Sequence, residues 1–259
     1  MKAEIILHGG LTFFTEKRYK TDAIRLVFRA RRSVKDLLES IGIPHVEIGR
    51  VIVNGAAGDL SAVIDADVRL EVFPVLPGFL GSPERPGGPE RPGGSAVPAP
   101  AEPEFLLDVH LGKLAANLRM LGFSVDYSNH RDDDDLEELA VSRGLVLLSC
   151  DRGLLMRKRV ERGMVIRSRD HLVQTAEVLS RYALVSGIKP LSRCISCNGM
   201  LGGPVGFDEL PDAVQNAIPE KTRSWCSEFF PCLSCGRPYW KGSHIKKMRD
   251  KIDRILSYL

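Results

Sequence analysis

Apolar positions along this chain follow two rhythms, separated by a stretch that has almost none. Up to residue 78 they come in short runs, at 4–7, 23–28, 51–53 and 69–73, which read as β-strands, and one stretch at 33–40 reads as a short helix capped by Ser33. A hairpin, a helix and returning strands in that order describe a β-grasp. From 79 to 103 the chain contains PERPGG twice and offers few residues to a core, the composition of a flexible, partly extended linker.

From 104 to 189 the pattern alternates between strand and helix. A strand at 105–108 leads into a helix at 110–121, with Leu111, Leu114, Leu118 and Leu121 on one face. A second strand at 123–127 precedes a helix at 133–143 whose Leu136, Leu139 and Ala140 share a face, and LVLLS at 145–149 is continuous and apolar, as a strand buried on both faces should be. Another helix, a strand at 164–167 and a helix at 170–182 complete the series. Such alternation predicts an α/β fold with a parallel sheet covered by helices. A final segment, 190–259, ends in a basic helix from about 245 onward.

The chain has 259 residues, enough for two or three cored units, and 44% of them are hydrophobic, which excludes a fibrous or wholly disordered protein. Its first residues lack a signal peptide's apolar core, and no stretch approaches the roughly 20 apolar residues needed to cross a bilayer, so a soluble, cytoplasmic protein without a membrane partner is expected. The net charge of +3 arises in the part from Pro190 onward, a weakly basic distribution that suits RNA and equally suits a solvated helix surface.

Two CxxC pairs, Cys194 with Cys197 and Cys232 with Cys235, stand 34 residues apart. Four thiolates complete a tetrahedral zinc site with no open position, so a structural Zn²⁺ in a zinc ribbon is expected. The intervening residues are expected to hold a short helix near 211–217 and an extended return near Phe229. Tyr239, Trp240, Lys241 and His244 beside the second pair mix aromatic and basic groups, as single-stranded RNA sites do; aromatics packed behind the knuckle are the competing reading.

In a parallel α/β sheet the carboxyl ends of the strands open onto one edge, where ligands bind. Asp108 ends the first strand, the run Asp132 to Asp135 follows the second and Asp151 follows the third. Carboxylates from separate strands suit a hard cation such as Mg²⁺ or Mn²⁺ and phosphodiester hydrolysis. Asp is also a favoured helix cap, and every helix in this layout begins at that edge, so capping alone accounts for the same positions.

The strings FLLDVHLGKLAANLRMLGFSVDY, DDDLEELA, GLVLLSCDRGLL and CGRPYWKGSH resemble the successive motifs of the PIN-like ribonuclease domain known as the Mut-seven C-terminal RNase domain, over about residues 105–250. The resemblance implies a metal-dependent nuclease with Asp108, Asp133 and Asp151 as ligands of the catalytic ion. Ala116 and Asn117 stand where the family segment commonly reads Arg-Trp, and Cys150 where it has an arginine; Arg119 is retained as a candidate phosphate contact. Residues 51–55 and 63–74 resemble ubiquitin-like and sulfur-carrier proteins, which implies a β-grasp with a docking role for a protein partner at 1–78. The expected reaction is RNA hydrolysis, most simply by an endonuclease; the alternative is a noncatalytic RNA-binding adaptor that uses the zinc ribbon.

Overall fold

The computed structural model describes residues 1–19, 21, 23–78 and 103–259, so the expected linker at 79–103 lies outside the described residues except for its last member. The chain separates into two compact units, one made of the described part of Met1–Ala101 with Asp132–Val165, the other of Glu102–Arg131 with Ile166–Leu259.

The N-terminal elements are β1 (Lys2–Leu7), β2 (Ile24–Val27), β3 (Arg32–Ser33), α1 (Val34–Glu39), β4 (Ile48–Val53), β5 (Ala56–Gly58), β6 (Val63–Ile64) and β7 (Val68–Pro74). Five of the strands form one sheet in the order β2-β1-β7-β4-β5. β1 runs antiparallel to β2 and parallel to β7, the pairing that defines the expected β-grasp. Alternation drives it: Ala3 and Ile5 of β1 and Leu70 and Val72 of β7 are buried, while Arg25 and Arg69 remain exposed. The helix starts where expected because the Ser33 side chain accepts from the Asp36 amide and Asp36 accepts from the Ser33 amide, a reciprocal cap; Val34, Leu37 and Leu38 then face the core.

The later part contains β8 (Phe105–Leu107), α2 (Gly112–Met120), β9 (Val125–Tyr127), α3 (Asp133–Arg143), β10 (Val146–Ser149), α4 (Arg152–Leu155), β11 (Gly163–Val165), α5 (His171–Arg181), α6 (Asp212–Asn216), α7 (Glu220–Arg223), β12 (Phe229–Pro231), β13 (Pro238–Trp240) and α8 (Ser243–Leu256). β8 pairs in parallel with β9, and β10 in parallel with β11, giving a parallel sheet flanked by helices. All residues of β8 and β10 are buried, the lack of alternation expected for strands covered on both faces. Leu111, Leu114, Leu118 and Leu121 are all buried, as the helical spacing predicts. Each contributes roughly 1.5–3 kcal/mol of burial free energy before conformational entropy is charged against it.

Within the first unit, polar groups join the β-grasp to the α3–β11 stretch. The amide of Val165 donates to Glu47 Oε1 at 2.7 Å. His45 Nε2 lies 2.6 Å from the carbonyl of Val160, its Nδ1 lies 2.7 Å from Glu39, and Arg152 donates to the carbonyl of Phe14. Glu47 is 1% exposed, so its carboxylate satisfies a strand amide that water does not reach. Glu47→Ala is therefore expected to lower unfolding free energy by about 1–3 kcal/mol, the cost of a buried donor left without an acceptor, whereas Glu47→Gln retains an oxygen and loses less. Urea unfolding of the full chain measures both.

Candidate metal centre and candidate active site

The two CxxC pairs fold as matching knuckles. In the first, the Asn198 amide donates to the Cys194 carbonyl; in the second, the Gly236 amide donates to the Cys232 carbonyl, both at 2.9 Å. Asn198 and Gly236 each stand four residues after the first cysteine of their pair, and both adopt left-handed backbone, with φ 68° and 70°. Glycine enters that region without steric cost and asparagine is among the few other residues that do so readily. Asn198 also uses its side chain: its Oδ1 accepts from the Val125 amide at 2.9 Å.

The knuckle is fixed to α2 and β9 of the same unit by two arginines. Arg119, 6% exposed, donates to the carbonyls of Val125, Ile195 and Ser196 at 2.9–3.2 Å. Burial pulls its guanidinium below its ordinary pKa, against the opposing pull of Asp126, Cys197 and Cys194. Arg193 donates to the carbonyls of Gly122 and Asn198. The geometry thus engages Arg119, a predicted substrate contact, with backbone carbonyls.

The four sulfur atoms all lie within 4.8 Å of one another, with Cys194 and Cys235 at 3.7 Å and Cys197 and Cys232 at 3.4 Å. These separations are far beyond the roughly 2.05 Å of a disulfide. They approach the ~3.8 Å edge of a tetrahedron with metal–sulfur bonds of about 2.3 Å. The proton affinities of the two sulfurs in the first pair diverge. Burial pushes the Cys194 thiol up, yet hydrogen bonds led by the Tyr239 hydroxyl overcome it and bring the group down to about 6. The Gly199 amide favours a Cys197 thiolate, but burial and the three neighbouring sulfurs prevail and push it to about 12. Four thiolates at this spacing repel one another, and a doubly charged soft-ligand cation removes the repulsion. The residues fit zinc.

Tyr239 stands behind the first knuckle, its hydroxyl 3.1 Å from Cys194 Sγ and accepting from the Ile195 amide. Burial first, and then the Cys194 sulfur, raise its pKa. Trp240 is half-buried against a small core of Leu210, Val214, Ile218 and Phe229. Lys241 is exposed, 3.5 Å from Glu228, with its ammonium 5.4 Å from the ring centre of Phe230. His244 lies in α8, and its side chain lies outside the described ones.

The acids occupy helix starts. Asp108, 6% exposed, caps the single 3-10 turn that precedes α2, accepting from the His110 amide at 3.3 Å, and Tyr127 pins that turn by donating to the Val109 carbonyl. Asp151 caps α4, accepting from the Gly153 amide at 2.7 Å. In the acidic run the cap is Asp132, and Asp133 is the first helical residue, 3.6 Å from Arg157. Arg157 also pairs with Asp134 and with Glu137, the latter at 3.1 Å. Those hydrogen bonds, Asp134's foremost, raise the guanidinium pKa. Asp133 and Asp151 belong to the first unit and Asp108 to the second. The ion pairs of Arg157 went unforeseen, since sequence alone places it on no patterned face.

Residues 103–252 match the family described as the Mut7-C RNAse domain. The chain belongs to that family. Its residues 1–78 match the Mut7-C ubiquitin domain, in agreement with the β-grasp. No curated protein matches the chain. Among solved structures, SAMP1 from Haloferax volcanii is similar at 21% identity over 30% of this chain and all of that one, with a TM-score of 0.24, too low to bear on the fold. Membership in the Mut7-C family supports a ribonuclease-type function with RNA as substrate, and the ubiquitin-like domain suggests protein interaction. No described helix is long and apolar enough to cross a membrane.

Zinc binding is tested on the cluster itself. Purified full chain is expected to carry one zinc per molecule by elemental analysis, and Cys194→Ser or Cys232→Ser to lose it. Site-closing zinc contributes on the order of 10 kcal/mol to small metal domains, so the variants should expose 190–259 to limited proteolysis.

Proposed function

We propose that this Mut7-C protein is a metal-dependent endoribonuclease in which Asp108, Asp133 and Asp151 hold a catalytic Mg²⁺ or Mn²⁺ and the four cysteines hold a structural Zn²⁺. The match of 103–252 to an RNase domain carries the reading, supported by acids that follow β8, open α3 and follow β10. Carboxylate oxygens in small number are what a hard cation of this kind accepts. The ion, when bound, supplies charge neutralisation for the phosphodiester and eases formation of a nucleophile from water. Asp108, buried and held by its own turn, provides a fixed anionic oxygen. Asp133 provides one whose charge Arg157 moderates.

In this reading Trp240, Lys241 and His244 contact RNA near the ribbon. Arg119 and Tyr239 act through the knuckle they hold, since their polar groups are engaged with Val125, Ile195, Ser196 and Cys194. The β-grasp at 1–78 serves a protein partner.

A noncatalytic RNA-binding adaptor is the second reading, favoured by the caps that Asp108 and Asp151 form. Asparagine separates the two, because it caps a helix about as well as aspartate but brings no charge. Asp108→Asn, Asp133→Asn and Asp151→Asn are each expected to melt within a few degrees of the parent yet cleave labelled RNA at least about a hundredfold more slowly in Mg²⁺ or Mn²⁺, the scale of losing one group that stabilises a transition state. Undiminished cleavage by all three assigns Asp108 and Asp151 to capping and Asp133 to its ion pair with Arg157.

A further inference from the structure

In the second unit a cavity of about 410 Å³ opens where α8 passes the start of α5, and it is lined by His171, Lys247, Lys251 and Arg254 together with Asp170 and Asp250. Lys247, Lys251 and Arg254 recur at helical spacing, so one face of α8 turns three cations toward this space. A helix face that meets a neighbour ordinarily carries apolar groups there. Here Ile255 is buried beside the cations.

The cavity is positively polarised. Among the described residues, none of these three cations has a carboxylate within ion-pairing distance. Lys251 is half-buried, and burial, followed by the charge of Arg254, lowers its ammonium pKa. His171 is lowered by burial and by Lys251, Lys113 and Arg254, with Asp170 opposing. Of the two acids, Asp170 also caps α5, accepting from the Leu172 amide at 2.7 Å, and keeps its charge. Two carboxylates against three fixed cations leave the lining one positive charge in excess.

The histidine is held in place. Asn117 donates from its amide nitrogen to the His171 carbonyl at 3.1 Å and to Thr175 Oγ1 at 2.9 Å, and the same nitrogen lies 3.2 Å from His171 Nδ1. An imidazole beside three cations is a combination that recognises the oxygens of a phosphate group.

We propose that this cavity is a phosphate-binding site, held by His171, Lys247, Lys251 and Arg254, which takes a phosphate of the RNA backbone. The RNA assignment rests on the ribonuclease reading, so the experiment is run with no added Mg²⁺ or Mn²⁺ and without a chelator, which leaves Zn²⁺ on the four cysteines, and binding is measured on RNA shown by gel to stay intact. Failure of the acids to cut and failure of this cavity to bind are then read separately.

The probes are a single-stranded RNA oligomer, followed by fluorescence anisotropy across a salt series, and inorganic phosphate, followed by phosphorus NMR line broadening. The protein is the full chain, as parent, Lys251→Gln/Arg254→Gln, and the charge-matched control Lys246→Gln/Arg249→Gln, which alters residues of α8 outside the cavity. Lys247→Gln, at an exposed position, replaces the first double variant if that one fails to melt cooperatively.

The cavity variant is expected to bind RNA about tenfold or more weakly, with the slope of log K against log salt shallower by about 0.7 for each lost contact, while the control changes by less. Loss of phosphate broadening with unchanged RNA affinity also supports the site and makes free phosphate its occupant. Equal weakening of RNA by the cavity variant and the control, with phosphate unaffected, overturns the proposal, as does unchanged binding of both probes.

Discussion

One buried guanidinium organises the second unit. Arg119 leaves α2 and donates to Val125 in β9 and to Ile195 and Ser196 in the first knuckle, so helix, strand and ribbon are fixed to a single planar group. A planar fork with five donors suits this task, and a lysine's single ammonium does not. The fork carries a positive charge into a region where water is scarce, and the Cys194 and Cys197 sulfurs oppose the cost of burying it. A metal-bound cluster of four thiolates carries a net negative charge, so the ribbon and Arg119 stabilise each other electrostatically as well as through the backbone.

Asn117, two residues earlier, makes α2 and α5 interdependent in the same way. It is 1% exposed and donates to His171 and Thr175 on the facing helix. Where the family segment commonly has tryptophan, this chain has an asparagine that makes directional hydrogen bonds. The consequence reaches the surface, because the same amide holds His171 in place at the basic cavity.

Much of this was legible from spacing. Helix α3 begins and ends where the pattern placed it, because its apolar face and the acidic run before it act together, and the cysteine pairs declare their cluster through chemistry that needs four sulfurs. Helix α2 starts at Gly112 and not at 110, since Asp108 caps a 3-10 turn first, a local choice that apolar periodicity does not register. The strands β3, β5 and β6, of two or three residues, exist through their partners and carry no pattern of their own. Arg119 was legible only as a retained basic residue: an arginine on a helix reads as surface, and its burial depends on carbonyls 76 and 77 residues away. Glu47 and His45 were silent for the same reason, since their partners Val165 and Val160 lie over a hundred residues further along the chain. These contacts make the β-grasp part of the compact unit that contains α3 to β11, so removing residues 1–78 would strip an acceptor from a strand amide.

Capping and cation binding draw on different lone pairs of the same carboxylate, so one does not exclude the other. An ionised Asp has about four acceptor sites, and a cap amide engages one of them. Asp151 gives an oxygen to Gly153, and the bond fixes the side-chain rotamer so that the remaining sites face a defined direction at no further entropic cost. Asp108 is held likewise, with the added rigidity of burial and of Tyr127 against its turn. A ligand fixed before the cation arrives loses less freedom on binding than one that must be ordered by it. Helix starts thus fix carboxylates as a by-product of ending strands and beginning helices, and what distinguishes a cap from a ligand is the charge that remains after the amide has been satisfied.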